Sequence, residues 1–235
     1  MDKTSLGDRM KKYEKVAKTN LMQRTPVIIR LDGKAFHTYT KNCDKPFDQD
    51  LHKIRKEVLE YLCENIQGCV LGYSQSDEIT LVLKDWHTYS SQAWFDNSVQ
   101  KLCSISASMT TAMWNSLVYK YNLQDKFSGL AVFDARCFNI TINEVVNCLI
   151  WRQQDWERNS VQMLARSFYS QKQCHGKSCK DLVTKIEEEQ GVVWGNLATW
   201  QKRGEFWFDE IYEETPKFKD VRQVIEELLY LQNDN

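Results

Sequence analysis

Val27-Ile28-Ile29-Arg30-Leu31-Asp32 is a β-branched run stopped by Gly33. Such a run suits a buried, pleated surface, so it reads as a strand that delivers an aspartate to its C-terminal edge. Downstream, from Asp48 to about Asn65, Leu51, Ile54, Val58, Leu59 and Leu62 recur at spacings of three and four, the stripe of an amphipathic helix. Cys69-Val70-Leu71-Gly72-Tyr73 and Ile79-Thr80-Leu81-Val82-Leu83 then flank the turn-forming cluster Ser74-Gln75-Ser76-Asp77-Glu78, which predicts a hairpin. A second long helix is expected from about Ser98 to Tyr119, with Ser104, Ala107, Ser108, Thr111 and Ala112 on a side that can approach a sheet closely. Leu130-Ala131-Val132-Phe133-Asp134 looks like the next strand. Strand, helix, strand, strand, helix, strand is the split βαβ order, so the fold class expected is α+β: a ferredoxin-like antiparallel sheet with helices on one face. Beyond about Asn143 the patterns turn helical, through Val145–Gln154, Ser160–Ser170, Lys180–Gln190 and Phe218–Leu231. The chain thus divides into a sheet unit over 1–142 and a mainly helical C-terminal region over 143–235.

Composition narrows the function classes. The 235 residues are 42% hydrophobic, 12% aromatic and 27% charged, which excludes disordered and low-complexity chains. With 31 Lys and Arg against 32 Asp and Glu, the net charge is −1, so bulk positive charge is not what would hold a nucleic acid. Any polyanion site must be a local patch. Met1–Tyr13 is polar and charged throughout, unlike a signal peptide, and the longest uncharged stretch, between Lys101 and Lys120, carries too many Ser, Thr and Asn residues for a membrane span. Eight scattered cysteines without a C-x-x-C spacing read as reduced thiols, and a cytoplasmic protein without a membrane partner is expected.

In a ferredoxin-like order the first and third strands are neighbours at the middle of the sheet. Asp32 and Asp77, 45 residues apart, then converge on one edge. Two carboxylates on adjacent rigid strands suit a hard divalent cation, since Mg²⁺ is typically held by one or two carboxylates together with waters and substrate phosphates. Such ions can activate an attacking oxygen and stabilise a leaving pyrophosphate. Glu78 follows Asp77, and in extended backbone its side chain points to the opposite face, where it can brace the hairpin or shape the site. By pattern alone these carboxylates fit catalysis or an ordinary solvated turn. Arg30, Lys34 and Lys45 likewise fit substrate phosphate or simple neutralisation of the edge.

Arg30-Leu31-Asp32-Gly33-Lys34-Ala35-Phe36-His37, Lys45-Pro46, Gly72-Tyr73-Ser74-Gln75-Ser76-Asp77-Glu78, Phe133-Asp134-Ala135-Arg136 and Trp151-Arg152-Gln153-Gln154-Asp155, in this order and approximate spacing, resemble the tRNA(His) guanylyltransferase family. The resemblance continues through His175-Gly176-Lys177-Ser178 to Gln201-Lys202-Arg203-Gly204 and covers nearly the whole chain. It implies a polymerase-like palm over 1–142 that adds nucleotides 3′-to-5′ at the 5′ end of tRNA, with two Mg²⁺ ions and with ATP and GTP as substrates. By the family motif, Asp32 and Asp77 hold the metals with the Gly33 carbonyl, and Glu78 is needed beside them. Arg30, Lys45, Ser76 and Lys101 match positions near triphosphate groups, and Lys34 is counted with them. In family members ATP activates a 5′-monophosphate before the 3′-hydroxyl of the incoming nucleotide attacks, and a 5′-triphosphate needs no activation. A homotetramer is also implied.

One departure bears on substrate. Eukaryotic members that recognise histidine tRNA carry His-Ile-Asn-Asn shortly after the Trp-Arg-x-x-Asp element, where this chain has Glu157-Arg158-Asn159-Ser160. The pattern is more similar to the bacterial and archaeal guanylyltransferase-like proteins, so template-dependent repair of 5′-truncated tRNA is expected ahead of histidine-tRNA maturation. Arg152, Arg158, Arg166, Lys172, Lys177, Lys180 and Lys185 interleave with Trp151, Trp156, Phe168 and Tyr169, a mixture that can track phosphates and stack on bases. With the resemblance, Arg158, Asn159 and Lys177 become the expected tRNA contacts. Cys174, His175 and Cys179 fit no common zinc spacing. Rival readings are a palm-type nucleotide cyclase, which needs no RNA, and a non-catalytic RNA-binding module, which has no use for Asp32 and Asp77.

Overall fold

The structure, a computed structural model, describes residues 4–230. Its elements are α1 (Ser5–Val16), β1 (Val27–Gly33), α2 (Phe36–Tyr39), α3 (Gln49–Asn65), β2 (Cys69–Gln75), β3 (Glu78–Leu83), α4 (Val99–Lys120), β4 (Phe133–Asn139), α5 (Ile142–Phe168), α6 (Gln171–Cys174), α7 (Cys179–Gln190), α8 (Thr199–Arg203), β5 (Glu205–Phe208), β6 (Glu210–Tyr212) and α9 (Arg222–Leu229). Among the described residues the strands form one six-stranded sheet in the order β4-β1-β3-β2-β5-β6, every neighbouring pair antiparallel. The first four positions reproduce the expected ferredoxin-like order, with β1 and β3 adjacent at its middle.

Alternation along β1 sorts the core into two layers. Val27, Ile29 and Leu31 join Ile79, Leu81 and Leu83 on one face, under Ile54, Val58 and Leu62 of α3 and Leu102, Trp114 and Leu117 of α4. Ile28, Leu71, Tyr73 and Val82 point the other way, onto Val145, Val146 and Leu149 of α5 and Ile225 and Leu229 of α9. Helices therefore cover both faces, and the expectation of a one-sided sheet is corrected. On the second face Ile28, Val82, Leu71 and Tyr73 form an apolar patch that a single layer of helices on the other face would leave in water. A third cluster, Val161, Leu164 and Ala165 with Leu182 and Ile186, joins the second half of α5 to α7 away from the sheet.

Other departures have local causes. The fourth strand starts three residues later than expected, because Leu130 and Val132 are exposed and Asn115 satisfies the Ala131 backbone through both its amide and its carbonyl. The two helices expected between Val145 and Ser170 are one continuous α5, in which Trp156 and Ser160 are buried through the charged stretch that suggested a break. The last helix begins at Arg222, since the Phe218 N–H bonds Gln153 instead of opening a turn; Leu231, its expected end, lies outside the described residues. The C-terminal half also contributes β5 and β6 to the sheet, strands too short to show a period in the sequence.

Candidate active site

Asp32 sits at the end of β1, directly opposite Glu78 on β3 and Asp134 on β4. Arg136 approaches its carboxylate to 3.9 Å. Gln75 still pairs with Glu78, so the connection between β2 and β3 is the two residues Ser76 and Asp77, tighter than the five-residue turn expected. Ser76 adopts φ +51°, the left-handed region that a side chain rarely occupies. The Gly33 N–H donates to the Asp77 carbonyl at 3.1 Å, which ties the hairpin turn to the end of β1 and brings the two aspartates to one sheet edge. A Cβ on Gly33 would lie 2.1 Å from the Phe36 ring, so only glycine lets α2 fold back over this strand end.

Burial pushes the Asp77 carboxyl up from its ordinary value, and the facing charge of Asp32 pushes it further. Arg55 acts in the opposite direction, but its guanidinium donates to the Ser76 carbonyl at 3.2 Å and not to the Asp77 carboxylate. The donors available here are two carboxylates and a glycine carbonyl, all hard oxygens, in an arrangement where the carboxylates repel one another. That set fits Mg²⁺. Among the described residues no group of three His, Cys, Asp or Glu side chains is arranged to hold a metal, so the remaining ligands would come from water and substrate phosphate.

A cavity of about 490 Å³ opens beside the turn, and Lys45, Ser76, Asp77, Trp156, Arg166 and Trp200 are among the residues that line it. Lys45 belongs to a loop fastened from below. Asp48 is buried, caps α3 by accepting from Leu51 N–H at 2.9 Å, and accepts from Asp44 N–H at 2.7 Å. Lys126 reaches Asp48 at 2.7 Å and Asp50 at 2.6 Å. These hydrogen bonds and the Lys126 charge hold the Asp48 carboxyl below the ordinary range against the opposing effect of burial.

The other expected site residues divide. Arg30, two residues before Asp32, lies on the α5 face with its guanidinium 5.5 Å from the Trp151 ring centre. Glu78 is gripped by Arg152 through Nε–Oε1 at 2.6 Å and Nη2–Oε2 at 2.9 Å, on the α5 side of the hairpin. Burial raises its pKa while the Arg152 bonds oppose the rise. Lys34 is exposed just past β1, its N–H bonded to the Val132 carbonyl at 2.8 Å. Lys101 is not brought to this edge. It sits in the first turn of α4, against the Phe95 ring, where Cys103 meets Cys137 near the other end of β4. Arg158, Asn159 and Lys177 are exposed. Arg158 pairs with Asp155 and, with Trp151, Lys180 and Trp194, lines a groove of about 740 Å³ between α5 and α7.

Sequence reasoning missed Arg55, Glu205 and Trp200. Arg55 left a trace: it is a charge inside the apolar stripe of α3, three before Val58 and four after Leu51. Trp200 and Glu205 flank the Gln201-Lys202-Arg203-Gly204 block that carried part of the resemblance, but a strand of four residues shows no period that would place them.

Comparison with known proteins agrees with this architecture. The family model described as Thg1, tRNAHis guanylyltransferase, matches residues 7–141. A bacterial tRNA(His) guanylyltransferase (Thg1)-like protein in complex with ATP superimposes with a TM-score of 0.92 and 42% identity, covering 97% of this chain and 100% of that one. A bacterial Thg1-like protein in complex with GTP gives 0.84 and 38% over the same shares. The tRNA(His) guanylyltransferase of Candida glabrata is 31% identical over 163 residues, 64% of this chain and 65% of that protein. The chain belongs to the tRNA(His) guanylyltransferase family, whose members are tRNA guanylyltransferases, a class of nucleotidyltransferase.

Proposed function

We propose that this protein extends the 5′ end of tRNA in the 3′-to-5′ direction, with GTP preferred, and that it repairs 5′-truncated tRNA. The observation that carries the reading is the joining of Asp32 and Asp77 at one sheet edge by the Gly33 to Asp77 hydrogen bond, beside a cavity that Lys45 and Ser76 line. The cavity takes the nucleoside triphosphate, with Lys45 and the Ser76 hydroxyl as donors to its phosphates. Arg30 and Lys34, on either side of Asp32 in sequence, are further donors to the phosphates of the nucleotide. The 3′-hydroxyl of the incoming nucleotide forms the new P–O bond at the RNA 5′-phosphate. Pyrophosphate leaves if that end is a triphosphate, and AMP leaves if a monophosphate was first activated with ATP. Asp32, Asp77 and the Gly33 carbonyl would hold two Mg²⁺ ions, which supply activation of the attacking hydroxyl and charge neutralisation at the leaving group.

The helical region over 143–235 presents the tRNA-facing surface, with Arg158, Asn159 and Lys177 exposed on it. Glu157-Arg158-Asn159-Ser160 supports general 5′-end repair over histidine-tRNA maturation, because a carboxyl stands where those family members have an imidazole. The proposed assembly is a homotetramer; Leu6, Met10 and Tyr13 on one side of α1 are all exposed, which supports self-association through that helix. Among the described residues no helix is long and apolar enough to cross a membrane, in keeping with a cytoplasmic site of action.

The test incubates the protein with Mg²⁺, labelled GTP and a tRNA lacking its first nucleotide, and sizes the RNA. A product longer by one or more nucleotides at its 5′ end is expected. A cyclic nucleotide product, or RNA binding with no new bond, overturns the reading.

A further inference from the structure

Glu205, on β5 in the C-terminal half, is 3% exposed and is surrounded by donors from two other elements. Ser74 Oγ, its partner across the β2–β5 ladder, donates to Oε2 at 2.8 Å. His52 Nδ1 lies 2.6 Å from Oε1, and Arg55 donates through Nε to Oε2 at 2.7 Å and through Nη2 to Oε1. A buried ion pair is weak evidence of stabilisation on its own, since desolvation offsets much of its Coulomb attraction. What distinguishes this one is the remaining guanidinium nitrogen. With Nε and Nη2 committed to Glu205, Nη1 is aimed at the Ser76 carbonyl, 3.2 Å away. The next carbonyl, that of Asp77, is held by the Gly33 N–H. Successive carbonyls of this two-residue turn are thus fixed, one from α3 and one from β1. The same segment places Trp200, five residues before Glu205, flat against the His52 ring at 4.1 Å and on the wall of the nucleotide cavity.

We propose that Arg55, aimed by Glu205, is a positioning residue that pins the Ser76–Asp77 turn in its site geometry, so that the α8–β5 segment of the C-terminal half sets the placement of the palm carboxylate. Local backbone strain of the kind seen at Ser76 persists only where surrounding contacts over-determine it, and the Arg55 bond is one such contact, beside the Gly33 bond to Asp77 and the Gln75–Glu78 pair that closes the turn. The functional consequence rests on the nucleotidyltransferase reading; the pinning itself does not.

The test uses the full chain with Arg55→Lys, which keeps a positive charge for Glu205 but cannot span both Glu205 and Ser76, and Glu205→Asp, which keeps the charge and shortens the reach that aims the guanidinium. Amide hydrogen exchange reads the pin directly. Exchange at Gly33, whose N–H bonds Asp77, is expected to accelerate on the order of tenfold in Arg55→Lys, the worth of one buried charged hydrogen bond, and less in Glu205→Asp, with Ile29 in the same strand unchanged. The turnover number for nucleotide addition should fall by a similar factor while the KM for tRNA holds. Unchanged Gly33 exchange in both variants overturns the proposal, and so does acceleration shared equally by Ile29, which would mark a purely structural pair. A wild-type chain that forms no product but shows Arg55-dependent Gly33 exchange would sink the functional reading and leave the pin standing.

Discussion

Arg152 on α5 closes on Glu78 of β3 with both nitrogens of a fork, 2.6 and 2.9 Å, and shares its Nη2 with Asp155 at 2.9 Å. Because Glu78 faces Asp32 across the β1–β3 ladder, this grip ties the long C-terminal helix to the very pair of strands that carry the carboxylates. Glu78 is thereby tied to α5, while the Asp77 carboxylate stays outside that fork and takes its hydrogen bonds from the Ser76 side chain and its own backbone.

Removing one partner of that fork leaves a charge largely out of water with nothing to answer it. Arg152→Ala should cost about 3 kcal/mol of unfolding free energy, read as a lower urea midpoint, whereas the exposed Arg158→Ala should change it by less than about 1 kcal/mol. Equal midpoints for the two variants would deny the fork that stabilising role.

Asp77 presents the opposite case. Its carboxylate is desolvated and faces Asp32, so neutralising it relieves a repulsion that the fold tolerates. Asp77→Asn should leave the melting temperature unchanged or raised while nucleotide addition falls on the order of a thousandfold, since several kcal/mol of charge stabilisation would be lost with the site's ions. Calorimetry paired with the extension assay checks both halves, and retained activity would take Asp77 out of the chemistry.

Glu205 predicts a pH dependence whose sign is fixed. Arg55 and His52 together hold its carboxyl below the ordinary value of 4.5 despite complete burial, so the folded state binds the proton less readily than the unfolded chain. Its stabilisation is present above about pH 4.5 and is lost as the pH falls through the depressed folded value. Urea unfolding across that acid range should show the loss in the wild type and a shallower descent in an Arg55→Met/Glu205→Leu double variant.

The legible part of this protein was whatever repeats along the chain. The stripe of α3, the β-branched run of β1 and the hairpin strands each carry a period, and the order β4-β1-β3-β2 follows from them. The convergence of Asp32 and Asp77 was readable for the same reason, as a consequence of strand adjacency. What escaped reading depends on contacts between distant segments. Four residues of β5 show no period, yet Glu205 reaches Arg55 across 150 residues of sequence. The charged stretch Asp155 to Asn159 mimics a helix break, but Trp156 and Ser160 continue the buried stripe through it. Lys101 matched a family position by resemblance, and the resemblance did not reveal that the first turn of α4 faces the other end of β4.

Lys126 lies outside every motif and still bears on the proposed nucleotide cavity, through the loop that carries Lys45. It neutralises Asp48 and Asp50, and Asp48 in turn holds Asp44 N–H at the base of the loop that carries Lys45 into the cavity. Lys126→Met leaves the buried Asp48 without its cation, so the loop should loosen. The KM for GTP is expected to rise about tenfold with tRNA affinity unchanged, the effect of one charged hydrogen bond transmitted to a phosphate donor. Lys126→Arg, which can still reach both carboxylates, should restore most of the affinity.

The proposed tRNA surface calls for a different measurement, because cations that neutralise phosphates are read through salt. Arg158 is 66% exposed, its partner Asp155 already shares Arg152, and the groove beside it is lined by the indoles of Trp151 and Trp194. A cation so placed is free to exchange its carboxylate for a phosphate at little cost. Deleting one such cation should reduce the slope of log affinity against log salt by about one and weaken binding uniformly across sequences. Arg158→Glu and Lys177→Glu are therefore expected to weaken tRNA binding with a shallower salt slope while GTP affinity stays at the wild-type value. A parallel fall in affinity for both ligands would mean that these side chains support the fold and do not face RNA, and the placement of the tRNA on α5 and α7 would have to be abandoned.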